Sequence, residues 1–117
     1  MLGYGALNTS VDGDYNTAIG FQALLAYEDG DGNGHNTAVG ASSQTSATTG
    51  QFNTSLGSLS MGSGVTTGDG NTVLGYSAGL AITSGAENVL IGSNAGDALT
   101  TGYFNVGIGH EALSTED

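Results

Sequence analysis

Asn71-Thr72-Val73-Leu74-Gly75 is one of six versions of a pentapeptide that recurs along this chain of 117 residues. Each version begins with Asn and ends with Gly, and successive Asn residues lie 20, 17, 18, 17 and 17 positions apart. The six versions begin at Asn16, Asn36, Asn53, Asn71, Asn88 and Asn105. A unit of about 17 residues is too short for a helical-hairpin repeat, and it suits one coil of a β-solenoid with short strands and tight turns.

The remainder of the unit repeats as well, so the pattern covers nearly the whole chain. Ala or Ser stands three positions after each repeat Gly, and a shortened copy, Leu2-Gly3, precedes the first complete one. We therefore predict an all-β fold, a parallel β-solenoid or β-roll of about 17-residue coils with uncapped ends. It forms a single repeat domain over residues 1–117, with coils beginning near residues 1, 18, 38, 55, 73, 90 and 107. Six to seven coils at roughly 4.8 Å each give a rod about 30 Å long.

Alternation within the pentapeptide predicts which side chains face the core. The first and third residues after each Asn are mostly Thr and then Ile, Leu or Val, and we expect this pair, such as Val89 and Ile91, to point inward. The middle residue is then expected on the outer face, where Val73 and Leu90 would contact a neighbouring chain, whereas the smaller residues of the early coils could equally face solvent. A second apolar position is expected to form the opposite wall of a thin core. It is occupied by Ala47, Val65, Ile82 and Leu99.

The repeat Asn and the Gly three residues before it have structural interpretations. Stacked at one corner of successive coils, the six asparagines would hydrogen-bond to the backbone of the next coil and form a ladder. The Gly position, which includes Gly50 and Gly68, is taken by Asn33 in the long second repeat. Asn is second only to Gly in tolerating the left-handed conformation, so we expect this position to require a positive φ.

The composition removes several functional classes. The chain contains no Lys, Arg, Pro or Cys, and eleven carboxylates give it a formal net charge of −11. Nucleic-acid binding and attachment to anionic membranes both depend on cationic side chains, so we expect neither partner and no membrane insertion. Solenoid enzymes that cleave polysaccharides need carboxylates in a long groove and usually basic groups. We therefore expect no enzymatic activity and no required cofactor.

One cluster has metal-binding chemistry. Asp29-Gly-Asp31-Gly-Asn33-Gly34 matches the first half of an EF-hand-type loop, with ligands at positions 1, 3 and 5 and Gly at position 6. The bidentate Glu of position 12 is absent, because Gly40 stands there. The sequence thus predicts a Ca²⁺ site at Asp29, Asp31 and Asn33, and the alternative is a solvated acidic loop.

Other repeated side chains could serve binding or only structure. Thr residues before the turn Gly could form an ice- or glycan-binding rank, or could simply stabilise turns. They are Thr48, Thr49, Thr66, Thr67, Thr83, Thr100 and Thr101. Residues just after the repeat Gly could stack on carbohydrate or pack between chains. They are Tyr4, Phe21, Tyr76 and His110. The two histidines, His35 and His110, share no ligand spacing and are expected on the surface.

The units Asn-Thr-Ala-Ile-Gly-Phe-Gln-Ala-Leu (16–24) and Asn-Thr-Val-Leu-Gly-Tyr-Ser-Ala-Gly (71–79) are joined by segments such as Thr-Thr-Gly and Thr-Ser-Gly. They resemble repeats of phage and marine-virus tail fibres and, more distantly, the heads of trimeric autotransporter adhesins. The resemblance implies a β-roll that trimerises at a virion or extracellular surface. We expect a homo-oligomeric, structural fibre segment, with a host-surface glycan or receptor as a further partner. The alternatives are a filament subunit that stacks end to end and an ice- or glycan-binding module.

Overall fold

The computed structural model describes residues 2–9, 15–28 and 34–114. Six strands of three residues form one parallel sheet in chain order, and the predicted β-solenoid with a coil of about 17 residues is confirmed. The strands are β1 (Thr17–Ile19), β2 (Thr37–Val39), β3 (Thr54–Leu56), β4 (Thr72–Leu74), β5 (Val89–Ile91) and β6 (Val106–Ile108). A bridge between Leu2 and Ile19 continues the sheet before β1. The described residues include no helix that could span a membrane.

Equivalent positions of successive coils lie directly above one another. Thr54 pairs with Thr72 and Leu56 with Leu74, and the same register holds between every pair of neighbouring strands. Each position of the repeat therefore forms a straight row of side chains along the rod. The repeat Gly closes every strand: Gly57 has a φ of 142°, and its N–H donates to the carbonyl of Val39 at 2.8 Å.

The predicted assignment of strand faces is wrong, because the middle residue of each strand points into the core. Val73 is 1% exposed and Leu90 is fully buried, whereas the flanking Thr or Val and Ile or Leu residues face outward. The inward row is Ala18, Ala38, Ser55, Val73, Leu90 and Gly107. The cause is the repeat Asn: its side chain turns inward, so alternation along the strand starts from an inward position.

The opposite wall of the core follows the prediction only in part. Ala47 and Ile82 are fully buried, whereas Val65 is 56% exposed and Thr66 is buried beside it. The repeat here is 18 residues long instead of 17, and Gly64 lies so close to the carbonyl of Ile82 that a Cβ could not fit. The extra residue shifts Val65 outward, and the Oγ1 of Thr66 donates to the carbonyl of Ile82 at 3.2 Å.

Large and small residues compensate for one another across this thin core. In the first coils Ala18 and Ala38 belong to the same cluster as Leu24 and Tyr27. In the last coils the bulk lies on the strand, and a Cβ added to Gly96 would come within 2.7 Å of the Cδ1 of Leu90. Bulky residues on one wall of the interior are thus matched by small residues on the other, as close packing requires.

Candidate interaction surface

The six repeat asparagines form a hydrogen-bonded ladder along one corner of the solenoid. The Oδ1 of each of the first five asparagines accepts the backbone N–H of the Asn in the next coil at 2.8–3.1 Å. The side-chain amide also donates to a glycine carbonyl further along the chain, as from Asn53 to Gly68 and from Asn71 to Gly85, both at 2.9 Å. From Asn71 onward the amide donates in addition to the preceding Asn at 3.0 Å. The row fastens coil to coil and leaves little of its amide surface for a ligand.

The glycines that accept these amides do not have the positive φ expected from the sequence. Positive values among the described glycines occur elsewhere, and Gly50 and Gly68 are not among them. Space explains the residue type instead, because a Cβ on Gly50 would lie 2.6 Å from the carbonyl oxygen of Gly68 and 3.0 Å from the Nδ2 of Asn53. The left-handed residue is the one before each Asn, for example Phe52 with a φ of 58°.

The left-handed residue before each Asn faces outward, and in the first three complete repeats these side chains form an aromatic row. The rings of Tyr15 and His35 stack with centroids 4.8 Å apart, and those of His35 and Phe52 with centroids 5.3 Å apart. In both pairs the ring planes are nearly parallel, with interplanar angles of 6° and 8°. The row is interrupted by Gly70 in the next coil. His35 is therefore exposed, as expected, and its ring packs between two aromatic neighbours.

The outer face of the sheet presents a row of aliphatic side chains that continues from coil to coil. This face consists of two parallel rows, which we call the threonine row and the aliphatic row. The threonine row is Thr17, Thr37, Thr54, Thr72, Val89 and Val106, and the aliphatic row is Leu2, Ile19, Val39, Leu56, Leu74, Ile91 and Ile108. Leu56 and Leu74 are 48% and 41% exposed, and Ile108 reaches 67%. Five large aliphatic side chains in the row are thus more than one-third exposed.

Aromatic side chains extend one end of this outer face. Tyr4 and Phe21, each just after a repeat Gly, are exposed and stack with centroids 5.9 Å apart. Tyr76 occupies the same position but has Ala41 and Ser58 in the two coils before it, so the stripe is discontinuous. His110 holds the same position in the last coil, after Ser93, and its imidazole lies 3.8 Å from the carboxylate of Glu111.

The outer face carries no formal charge, although the chain is strongly acidic. The threonine and aliphatic rows contain no Asp, Glu or His at any position. The described carboxylates lie at other positions of the repeat: Glu28, Asp69, Glu87, Asp97 and Glu111. Moving a charged group out of water is costly, and because the two rows contain no carboxylate, their burial does not carry this cost.

A layer of polar side chains crosses the core and separates its two apolar clusters. The Nε2 of Gln44 donates to the Oγ of Ser55 at 2.9 Å, and Ser43 bonds to Ser55 and Ser60 at 2.6 and 3.0 Å. The Oε1 of Gln44 is buried and makes no hydrogen bond with the described chain. All four residues are fully buried, so the layer belongs to the scaffold and offers no open site.

A shallow cleft of about 480 Å³ lies beside the first coils. Tyr4, Asn8, Thr9 and Gln22 contribute polar or aromatic groups to its walls, and Leu25 contributes apolar surface. A ring with amides and a hydroxyl is a combination able to contact a sugar, by stacking and by neutral hydrogen bonds.

The sites predicted from sequence have different outcomes. Asp29, Asp31 and Asn33 lie outside the described residues; within the described ranges, no group of three His, Cys, Asp or Glu could hold a metal ion. In the predicted threonine rank, the residues directly before the turn Gly are exposed at Thr49, Thr67 and Thr101, with Ser84 between them, whereas Thr66, one position earlier, is buried. A second row of threonines, on the outer face, runs along the strands. The sequence-based prediction does not identify this outer row, because it places the strand threonines in the core.

Comparisons of the chain with protein-family models, curated proteins and solved structures find no match.

Proposed function

We propose that the chain is a structural segment of an extracellular or virion-surface fibre, built from several copies of itself. The observation that carries the proposal is the outer face, an uncharged apolar surface that runs along a rod with a net charge of −11. The largest apolar patch on a soluble monomer typically measures about 300–600 Å² and is often an interaction site. Association of copies through this face removes it from water.

The construction of the rod supports a mechanical role. Every coil bonds to the next through strand hydrogen bonds and through the asparagine ladder, as when Thr54 N–H donates to the Asn71 carbonyl and Asn71 N–H to the Asn53 amide. Coils interact mainly with their immediate neighbours, so length can be extended by adding repeats without redesigning a core. The resemblance of the Asn-Thr-x-(Ile/Leu)-Gly units to fibre repeats supports the same role.

The acidic composition also suits a fibre exposed to solvent. The described carboxylates are distributed around the coil at positions such as Glu28, Asp69 and Asp97, all outside the outer face. A high net charge of one sign keeps proteins soluble and opposes unspecific association. Assembly is then confined to the one face where charge is missing.

The test is the mass and shape of the purified chain. We expect light scattering of the chain at up to near-millimolar concentration to give a weight-average mass above 11.5 kDa that rises with concentration. End-to-end filaments that lengthen with concentration would instead support the alternative of a stacking subunit. A folded monomer throughout the accessible concentration range would contradict the proposal.

A second candidate function is glycan binding, which the cleft beside Tyr4 favours. The cleft combines an exposed aromatic ring with the amides of Asn8 and Gln22, and it does not depend on cationic groups. This function predicts binding to neutral sugars on a glycan array. Tyr4→Ala would remove that binding, whereas Tyr103→Ala, a substitution of an exposed tyrosine outside the cleft, would not.

A further inference from the structure

We infer that a second copy of this chain packs on the outer face, the aliphatic and threonine rows of one copy lying against the same rows of the other. The inference rests on the proposed function and identifies the surface through which copies associate. It differs from the interpretation of the sequence, which assigned this role to Val73 and Leu90, two residues that are buried inside each coil.

The periodicity of the face selects the partner. Neighbouring side chains in a row, such as Leu56 and Leu74, belong to strands paired in register, so the surface repeats at the strand spacing of about 4.8 Å. A globular partner could fit the side chains of one or two coils but would lose register with the others. A second copy carries the same repeat, and its ridges can follow the groove between the two rows along the whole rod.

The side chains of the face suit packing between sheets. Each coil contributes one Ile, Leu or Val to the aliphatic row. The neighbouring row changes from Thr to Val at Val89 and Val106. Branched side chains pack well on a pleated surface, and two sheets that meet face to face lie about 10 Å apart. The exposed fractions of Leu56, Leu74 and Ile108 show that these side chains have apolar surface to bury.

The charge distribution also favours a copy over a basic partner. A basic protein would be drawn to the carboxylates at positions such as Asp69 and Glu87, which lie outside the two rows. The rows through which two copies would meet contain no carboxylate, although the net charges of the two copies repel each other at a distance. Their association should therefore strengthen as salt shortens the Debye length to about 8 Å at physiological ionic strength. Binding of a basic partner would weaken under the same change.

The size of the face sets the strength of association. Six strands at roughly 4.8 Å and three residues at roughly 3.3 Å give a flat area of about 300 Å². A stable interface of standard size buries about 800 Å² per partner. Pairing of this segment alone is therefore expected to be weak and reversible, and to strengthen with every coil added to the rod.

The experiment is sedimentation equilibrium in moderate salt from micromolar to near-millimolar protein. The test variant combines Leu56→Gln and Leu74→Gln, two exposed residues of the aliphatic row. The matched control is Val65→Gln, an aliphatic residue of similar exposure, at 56%, outside the outer face. We expect the control to associate like the unaltered chain and the test variant to lose at least tenfold in association constant. Circular dichroism of the dilute proteins checks that all of them remain folded.

Each outcome has a distinct meaning. If the unaltered chain and the test variant associate equally, the outer face is not the interface, and the proposed fibre role remains. If the unaltered chain stays monomeric at the highest concentration, both the inference and the proposed function fail. Association that weakens as salt is raised would also overturn an uncharged contact. Should the test variant not fold, Thr54→Gln with Thr72→Gln on the neighbouring row provides the same measurement.

Discussion

The side chain of Asn53 holds Asn71 of the next coil by two hydrogen bonds to one atom. Its Oδ1 accepts the backbone N–H of Asn71 at 2.9 Å and the side-chain amide of Asn71 at 3.0 Å. The same amide of Asn71 then reaches the carbonyl of Gly85 at 2.9 Å. Because the ladder is buried, water cannot replace these bonds when one asparagine is removed.

Replacing Asn71 with Ala should therefore destabilise the fold strongly. The change leaves the Asn88 N–H and the Gly85 carbonyl without their partners, and each unsatisfied buried group costs about 1–3 kcal/mol. Urea unfolding of dilute protein should show a loss of about 2 kcal/mol or more. The control is Asn8→Ala, an exposed asparagine outside the ladder, for which we expect a change within about 0.5 kcal/mol. Equal losses for the two variants would contradict a stabilising ladder.

The orientation of the strands predicts opposite results for neighbouring residues. Leu90→Asp places a carboxylate in the core, where burial of an unpaired charge is costly, and should abolish the folded far-UV spectrum. Ile91→Asp lies on the outer face and should leave the dilute chain folded. Circular dichroism with thermal unfolding measures both. Loss of structure in Ile91→Asp but not in Leu90→Asp would restore the orientation expected from the sequence.

This pair of residues also marks the limit of prediction from the sequence. The period of Asn and Gly identifies the solenoid, because it recurs at nearly constant spacing through the whole chain. The strand Thr-x-Ile alternates equally well for either face, and the small side chains of Ala18 and Ser55 look like surface residues. Only packing decides, since a thin core accepts Ala18 where Leu24 and Tyr27 supply the volume.

The asparagine row could also be predicted from the sequence. The cause of the glycine requirement at the positions that accept its amides could not. A side chain repeated in every coil indicates a stacked structural position. A glycine can be required by backbone conformation or by lack of space, and sequence does not separate the two. At Gly50 the requirement comes from the carbonyl of Gly68 and the amide of Asn53.

Two glycines should respond differently to substitution. Gly57 has a φ of 142°, and an added Cβ would overlap the carbonyl of Gly75, so Gly57→Ala should prevent folding. Gly70 has a φ of 69° at the position where other coils carry Phe52 or Glu87. Gly70→Asn should therefore be tolerated, with a change in unfolding free energy of about 1 kcal/mol or less. Thermal unfolding of the two variants makes the comparison.

Gly70 also offers a way to extend the aromatic row. Gly70→Phe would place a ring next to Phe52, which already stacks on His35 with a centroid distance of 5.3 Å. An added stacked pair should stabilise the fold by about 0.5–1.5 kcal/mol. Urea unfolding tests this gain, and Gly70→Asn supplies the matched control for backbone effects. No difference between the two variants would mean that the row does not continue across this coil.

The acidic loop gives a prediction about metal. If Asp29, Asp31 and Asn33 bind Ca²⁺ in the native state, calcium should raise the melting temperature through linkage. The double variant Asp29→Ala and Asp31→Ala should lose this increment, whereas Asp97→Ala, an isolated change elsewhere, should retain it. An equal increment in all three proteins would indicate that calcium only screens the net charge of −11.

Homo-oligomerisation through an uncharged face is the central claim, and sedimentation of the unaltered chain in low and high salt tests it most directly. Screening should reduce the repulsion between chains of charge −11 without weakening apolar contacts. The account predicts a reversible oligomer whose association constant rises with salt. A compact, folded monomer in both salts up to near-millimolar protein would contradict it.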